Sequence, residues 1–209
     1  MSVLDRLASA LGRRDEEPNV AVARDLARSG DAGDIALLAD ALENASQPIR
    51  GDAIKALYEL GALRPELIAP HAGAFLAAMN SRNNRLVWGA LTALDALAAT
   101  EPALIAANLP AILAAADRGS VIARDKAVSI LATLASQEPP VAGAWEKLLD
   151  TLRTSALNQT PMYAEAALRA APGNDPAALA AVVRKRLEAI HQPARKARLE
   201  KVLRNLDRL

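Results

Sequence analysis

The residues of this chain whose types and spacing could do chemistry are few, and they point to recognition more than to bond-making. There is no cysteine, and the only histidines are His71 and His191, so thiol nucleophiles, disulfides and thiolate metal sites are excluded. Neither histidine stands in a ligand-spaced motif, and no nucleophile elbow or phosphate-binding glycine loop occurs. No catalytic residue, metal or cofactor is therefore assigned, and the chain reads as non-enzymatic. Three features remain. The turn Asn80-Ser81-Arg82-Asn83-Asn84-Arg85 is rich in donors. It could hold an anion through Asn83, Asn84 and helix N-terminal amides, or be a solvated turn with an asparagine N-cap. Trp88 follows directly, and at 100° per residue it lies opposite the middle of the apolar cluster Leu86, Ala90, Ala93, Leu94 and Leu97. Arg85, Thr92 and Asp95 fall within about 60° of it, a polar stripe centred on an aromatic. Third, nine basic against four acidic side chains in residues 171–209 give a net +5, whereas residues 1–60 sum to −4.

The elements that position these residues follow from composition. Apolar residues make up 52% of the chain but aromatics only 2%, so alanine supplies most of the difference and favours closely packed helices. No segment alternates at period two. Ile49–Gly61 aligns with Leu86–Ala98 and Ala123–Ala135 at successive shifts of 37 residues. The matching columns are Ala53, Ala90, Ala127; Leu57, Leu94, Leu131; and Leu60, Leu97, Leu134. A third shift reaches Ala164, Leu168 and Ala171. Pro65, Pro102, Pro139 and Pro176 repeat at the same 37-residue interval, each near the start of an apolar helical pattern. Each unit is thus helix A, a polar turn and helix B.

The helix B pattern Ile-Arg-x-x-Ala-x-x-Ala-Leu-x-x-Leu-Gly resembles HEAT repeats over residues 19–192. Asn83–Gly89 and Gly119–Asp125 also resemble segments of uncharacterised bacterial HEAT-repeat proteins. The resemblance implies an all-α, right-handed solenoid of helical hairpins. Residues 1–18 would be a capping helix (2–12) with a charged linker, and 193–209 a basic capping helix, all in one domain. It also implies an acid–arginine ladder, Glu43 with Arg50 and Asp117 with Arg124. The B helices would line a concave surface, on which the register puts Lys55 and Tyr58 to one side of Trp88 and Asp125 and Ser129 to the other. Tyr163 and Glu165 extend that surface, or Tyr163 covers its helix end. Trp88 either binds there or packs into space left by small neighbours.

The expected role is a scaffold that binds a protein or peptide on that surface. The alternative is nucleic-acid binding, since HEAT-like solenoids occur among alkylpurine DNA glycosylases and the C-terminal region is basic. Scarce aromatics and the acidic N-terminal part disfavour it. Phycobilin lyases share the repeat, but nothing in these residues supports cofactor chemistry. No apolar run reaches the roughly 18 residues of a membrane span, so a cytoplasmic protein is expected.

Overall fold

The computed structural model describes residues 2–209 and is helical throughout, with no strand among them. The helices group into two compact units, Met1–Ala127 and Val128–Leu209.

The first unit contains α1 (Glu17–Ser29), α2 (Ala32–Asn44), α3 (Gln47–Leu63), α4 (Pro65–Ile68), α5 (Ala72–Ala78), α6 (Asn84–Leu97), α7 (Pro102–Arg118) and the start of α8 (Val121–Ala135). Local chemistry sets the boundaries. Pro18, Pro65 and Pro102 stand in first turns, where a missing N–H costs no helical bond. Gly30 closes α1 at φ 65°, a left-handed cap, and Asp31 then caps α2 by accepting from the N–H of Asp34. The expected helix A over residues 65–78 is broken. Pro70 lacks a donor and its ring opposes the carbonyl of Glu66, so a 3-10 turn, Ala69–His71, separates α4 from α5.

Helix α3 is the centre of this unit, packing against α1, α2, α4 and α6. Its column residues Ala53, Leu57 and Leu60 are fully buried, as are Ala90, Leu94 and Leu97 on α6. The two helices approach closely at Gly89. A Cβ there would stand 2.7 Å from Ile54 Cγ1, and only glycine admits that contact.

Residues 2–12 depart from the expected helix. A 3-10 turn, Val3–Arg6, is capped by Ser2 and followed by turns up to residue 12. This segment still closes the end of the unit: Val3 and Leu7 are fully buried. A polar network ties it to α1 and α3. Asn19 Oδ1 accepts from the N–H of Ala8 at 2.9 Å, Asn19 Nδ2 donates to Asp52 at 2.9 Å, and Asp52 accepts from the N–H of Ser9 at 2.7 Å.

The second unit holds the end of α8, then α9 (Ala144–Thr154), α10 (Thr160–Ala170), α11 (Pro176–Glu188) and α12 (Pro193–Leu206), with α10 against α9, α11 and α12. Pro139 does not start a helix. Pro140 follows it and disfavours helical backbone at the preceding residue, so α9 begins only at Ala144. Asp175 caps α11 through two backbone N–H groups. Asn174 Nδ2 donates to the carbonyls of Ala135 and Ala170, joining the ends of α8 and α10.

Candidate functional site

On the non-core side of α3 and α6, the structure brings Lys55, Tyr58, Arg85, Trp88, Thr92 and Asp95 onto one surface, each partly buried. Trp88 is neither free nor packed away: its ring meets Tyr58 at a centroid distance of 5.6 Å, tilted by 52°. Such a pair contributes about 0.5–1.5 kcal/mol beyond its buried area. Lys55 Nζ lies 4.9 Å from the centroid of the Tyr58 ring and 2.7 Å from Glu59. Gly51, one helical turn before Lys55, leaves room for the Arg85 side chain, whose Nε would stand 3.3 Å from a Cβ at that position.

A residue outside the expected set joins the cluster. Glu16, at the start of α1, bridges the cations of both helices, 3.1 Å from Lys55 Nζ and 2.8 Å from an Arg85 guanidinium nitrogen. Asp95 is held by Lys126 at 3.0 Å. Thr92 Oγ1 donates to the Trp88 carbonyl, so its hydroxyl proton is spent within the helix. Burial would push the Lys55 ammonium pKa down, but its contacts with Glu59, Tyr58 and Glu16 outweigh this and hold it above the usual range. Burial pushes the Tyr58 hydroxyl up, against the opposing effect of Lys55. The result is an aromatic shelf inside a self-neutralising ring of ion pairs. It offers contact area and reversible charge contacts. Asp125, on α8, is partly buried in the first unit.

In the second unit, Ser129 is partly buried, and Tyr163, expected either to extend the surface or to cover its helix end, is only 4% exposed and does not extend the surface. On α10 and its C-cap the column residues Ala164 and Ala171 are fully buried, as is Ala167, and the column residue Leu168 is partly buried. Tyr163 stands at the repeat position of Asp52 and Gly89, which are also buried, so α10 keeps the repeat register. Glu165 is committed to helix docking, receiving a bidentate contact from Arg198 of α12 at 2.8 and 2.7 Å. That contact holds its carboxyl below the ordinary carboxylate range, against an opposing effect of burial. Trp145 is buried, with no hydrogen-bond partner for its indole nitrogen.

The acid–arginine ladder does not form. Glu43 and Arg50 line one cleft without an ion pair, and Asp117 and Arg124 are both exposed and unpaired. For the exposed Asp117 and Arg124, a pair is worth about 0–1 kcal/mol, too little to order both side chains. In the turn before α6, Asn83 Oδ1 accepts from the N–H of Arg85 and Ser81 Oγ from the N–H of Asn83, while Asn84 is exposed. Asn83 therefore caps α6. Among the described residues, no cluster of three or more acidic or histidine side chains could hold a metal, and no helix is long and apolar enough to cross a membrane.

Paired helices stacked in this way define an all-α helical repeat protein, an α-solenoid of the armadillo-like kind. A designed armadillo repeat protein in complex with the peptide (KR)4 matches 97% of this chain with 99% of its own, at 18% identity and a TM-score of 0.64. Computationally designed armadillo repeat proteins for modular peptide recognition match 97% with 98% of their own chain, at 16% identity and a TM-score of 0.63. An engineered protein covers 100% of the chain with 98% of its own, at 20% identity and a TM-score of 0.56. No protein-family model matches the chain, and no curated protein does.

Proposed function

We propose that the chain is a non-enzymatic scaffold that binds an extended peptide or protein segment on its B-helix surface, anchored at Trp88 and Tyr58. The observation that carries this reading is the partly buried aromatic pair framed by Lys55, Arg85 and Asp95. Tryptophan, tyrosine and arginine dominate the energetics of protein interfaces, and a ring already packed on one side loses little entropy when covered on the other. Two of the structural neighbours are designed for or bound to peptides, which supports a peptide as the kind of partner. The hairpins are read as HEAT-type from the Ile49–Gly61 pattern, and the B-helix surface as the concave one.

The test is selection of a random peptide library on the wild-type chain, followed by affinity measurement against a W88A/R85Q double variant. Circular dichroism should show unchanged helicity. The double variant should bind the recovered peptides at least about thirtyfold more weakly, the loss expected of one interface anchor. Peptides that bind both forms equally would remove this surface as the site.

A further inference from the structure

A second site lies on the edge of the first unit where the turns α2–α3 and α5–α6 come together. Gln47, Arg50, Ser81, Arg82, Asn83 and Leu86 line a cleft of about 340 Å³. That is the small end of the range for ligand sites. Two of its six residues are guanidinium-bearing and none is acidic. The Arg50 side chain makes no hydrogen bond or ion pair with any described residue, and its Nε is buried without a partner. A buried guanidinium N–H without an acceptor is costly, so this nitrogen calls for an acceptor from outside the chain, a water or a bound anion. Arg186 also has an orphaned Nε, but its Nη2 is bonded to the Ser155 carbonyl and Thr160 Oγ1. Arg50 has no such compensation.

The rest of the lining has the same sign. Arg82 is exposed and unpaired. The hydrogen bonds that fix the loop use acceptors, Ser81 Oγ and Asn83 Oδ1, so the Ser81 hydroxyl proton and the Asn83 amide protons remain available to donate. Glu43 and Asp40, which line the adjoining cleft with His71, leave Arg50 unpaired. The forked donors of two arginines, a hydroxyl and two carboxamides match the lone pairs of a planar or tetrahedral oxyanion.

We infer that this cleft binds a small oxyanion, a carboxylate or phosphate group, through Arg50 and Arg82 with Ser81, Asn83 and Gln47 completing the shell. The site is separate from the Trp88 surface, and either can fail without the other.

Nuclear magnetic resonance tests it. The Arg50 Nε–H and the backbone amides of Ser81, Arg82 and Asn83 are followed while inorganic phosphate or succinate is added at ionic strength held constant with sodium chloride. The expected result is saturable shifts at these groups with at least one of the two anions, and which one responds identifies the source of the oxyanion. R50Q should weaken binding at least about tenfold, and R50K nearly as much because the fork is lost, while R124Q leaves it unchanged. Should R50Q fail to fold, R82Q on the exposed rim decides, with a loss of about threefold or more expected. Linear shifts that never saturate with either anion, or equal affinity in R50Q, R82Q and wild type, would overturn the inference.

Discussion

Removing the Asp52 carboxylate should cost the protein about 3 kcal/mol, more than most single changes in a protein of this kind. Asp52 is only 7% exposed and accepts from the Ser9 N–H at 2.7 Å and from Asn19 Nδ2 at 2.9 Å. Hydrogen bonds to an ionised acceptor are worth about 1.5–3 kcal/mol each, so D52A forfeits roughly 3–6 kcal/mol in gross terms. Asn19 is fully buried, so its freed amide has no water to turn to. The upper figure is not reached, because residues 2–12 can detach instead of leaving donors stranded. That escape exposes Val3 and Leu7, at about 1.5–3 kcal/mol each, which sets the lower bound near 3. In a chain of this length each kcal/mol lowers the melting temperature by about 2–4 °C, so a fall of about 6–12 °C is expected by circular dichroism. Hydrogen exchange supplies the local readout: the Ala8 and Ser9 amides should lose about a hundredfold of protection. D52N keeps the shape but turns an NH2 toward a donor, and should fall between D52A and wild type. A D52A variant within about 0.5 kcal/mol of wild type, or with unchanged exchange at Ser9, would refute the claim that this network fastens the N-terminal segment.

Two further outcomes follow from packing and charge. G89A should destabilise by about 1–2 kcal/mol although alanine is the better helix former, because the new methyl meets the stiff Ile54 side chain of α3; urea titration measures it, and a stabilised variant would contradict the close approach of α3 and α6. Glu165 has its pKa lowered by Arg198, so its stabilising contribution is present above the ordinary carboxylate value and is lost as pH falls through the lowered one. E165Q lacks that component, so between pH 5 and pH 3 its urea midpoint should fall less than wild type's, and equal falls would show that the pair does not hold α12.

The sequence revealed the helices wherever one periodicity dominated. Alanine and leucine columns at 53, 57 and 60 recur at 90, 94 and 97, and every one of those side chains is buried. Prolines marked helix starts where their neighbours allowed it and failed at Pro139, because Pro140 excludes helical backbone there. At α10 the columns Ala164 and Ala171 are buried as well, and Tyr163 lies beside them at the repeat position of Gly89 and Asp52, a buried position that the helical wheel leaves open. The Asp52–Asn19 link was harder to see, since it joins positions 33 residues apart. Its one trace was an acidic residue between Gly51 and Ala53, on a helix face otherwise buried. Glu16 was missed for a related reason: a charged run reads as solvated linker, and only the folded path of residues 13–17 brings one of its carboxylates over Lys55 and Arg85.

The distribution of paired and unpaired cations separates the two sites physically. Around Trp88 the cations Lys55, Arg85 and Lys126 already hold carboxylates. A partner's charges there must displace Glu16, Glu59 or Asp95, exchanging one ion pair for another at little net gain. Affinity on that surface therefore comes from covering the aromatic shelf, and the ion pairs act on orientation and on rejection of mismatched partners. At the turn edge the balance is reversed. Arg50 and Arg82 have no carboxylate to surrender and no aromatic stands beside them, so an incoming oxyanion gains the charge-assisted bonds outright. Salt should consequently weaken oxyanion binding at Arg50 and Arg82 far more than peptide binding at Trp88.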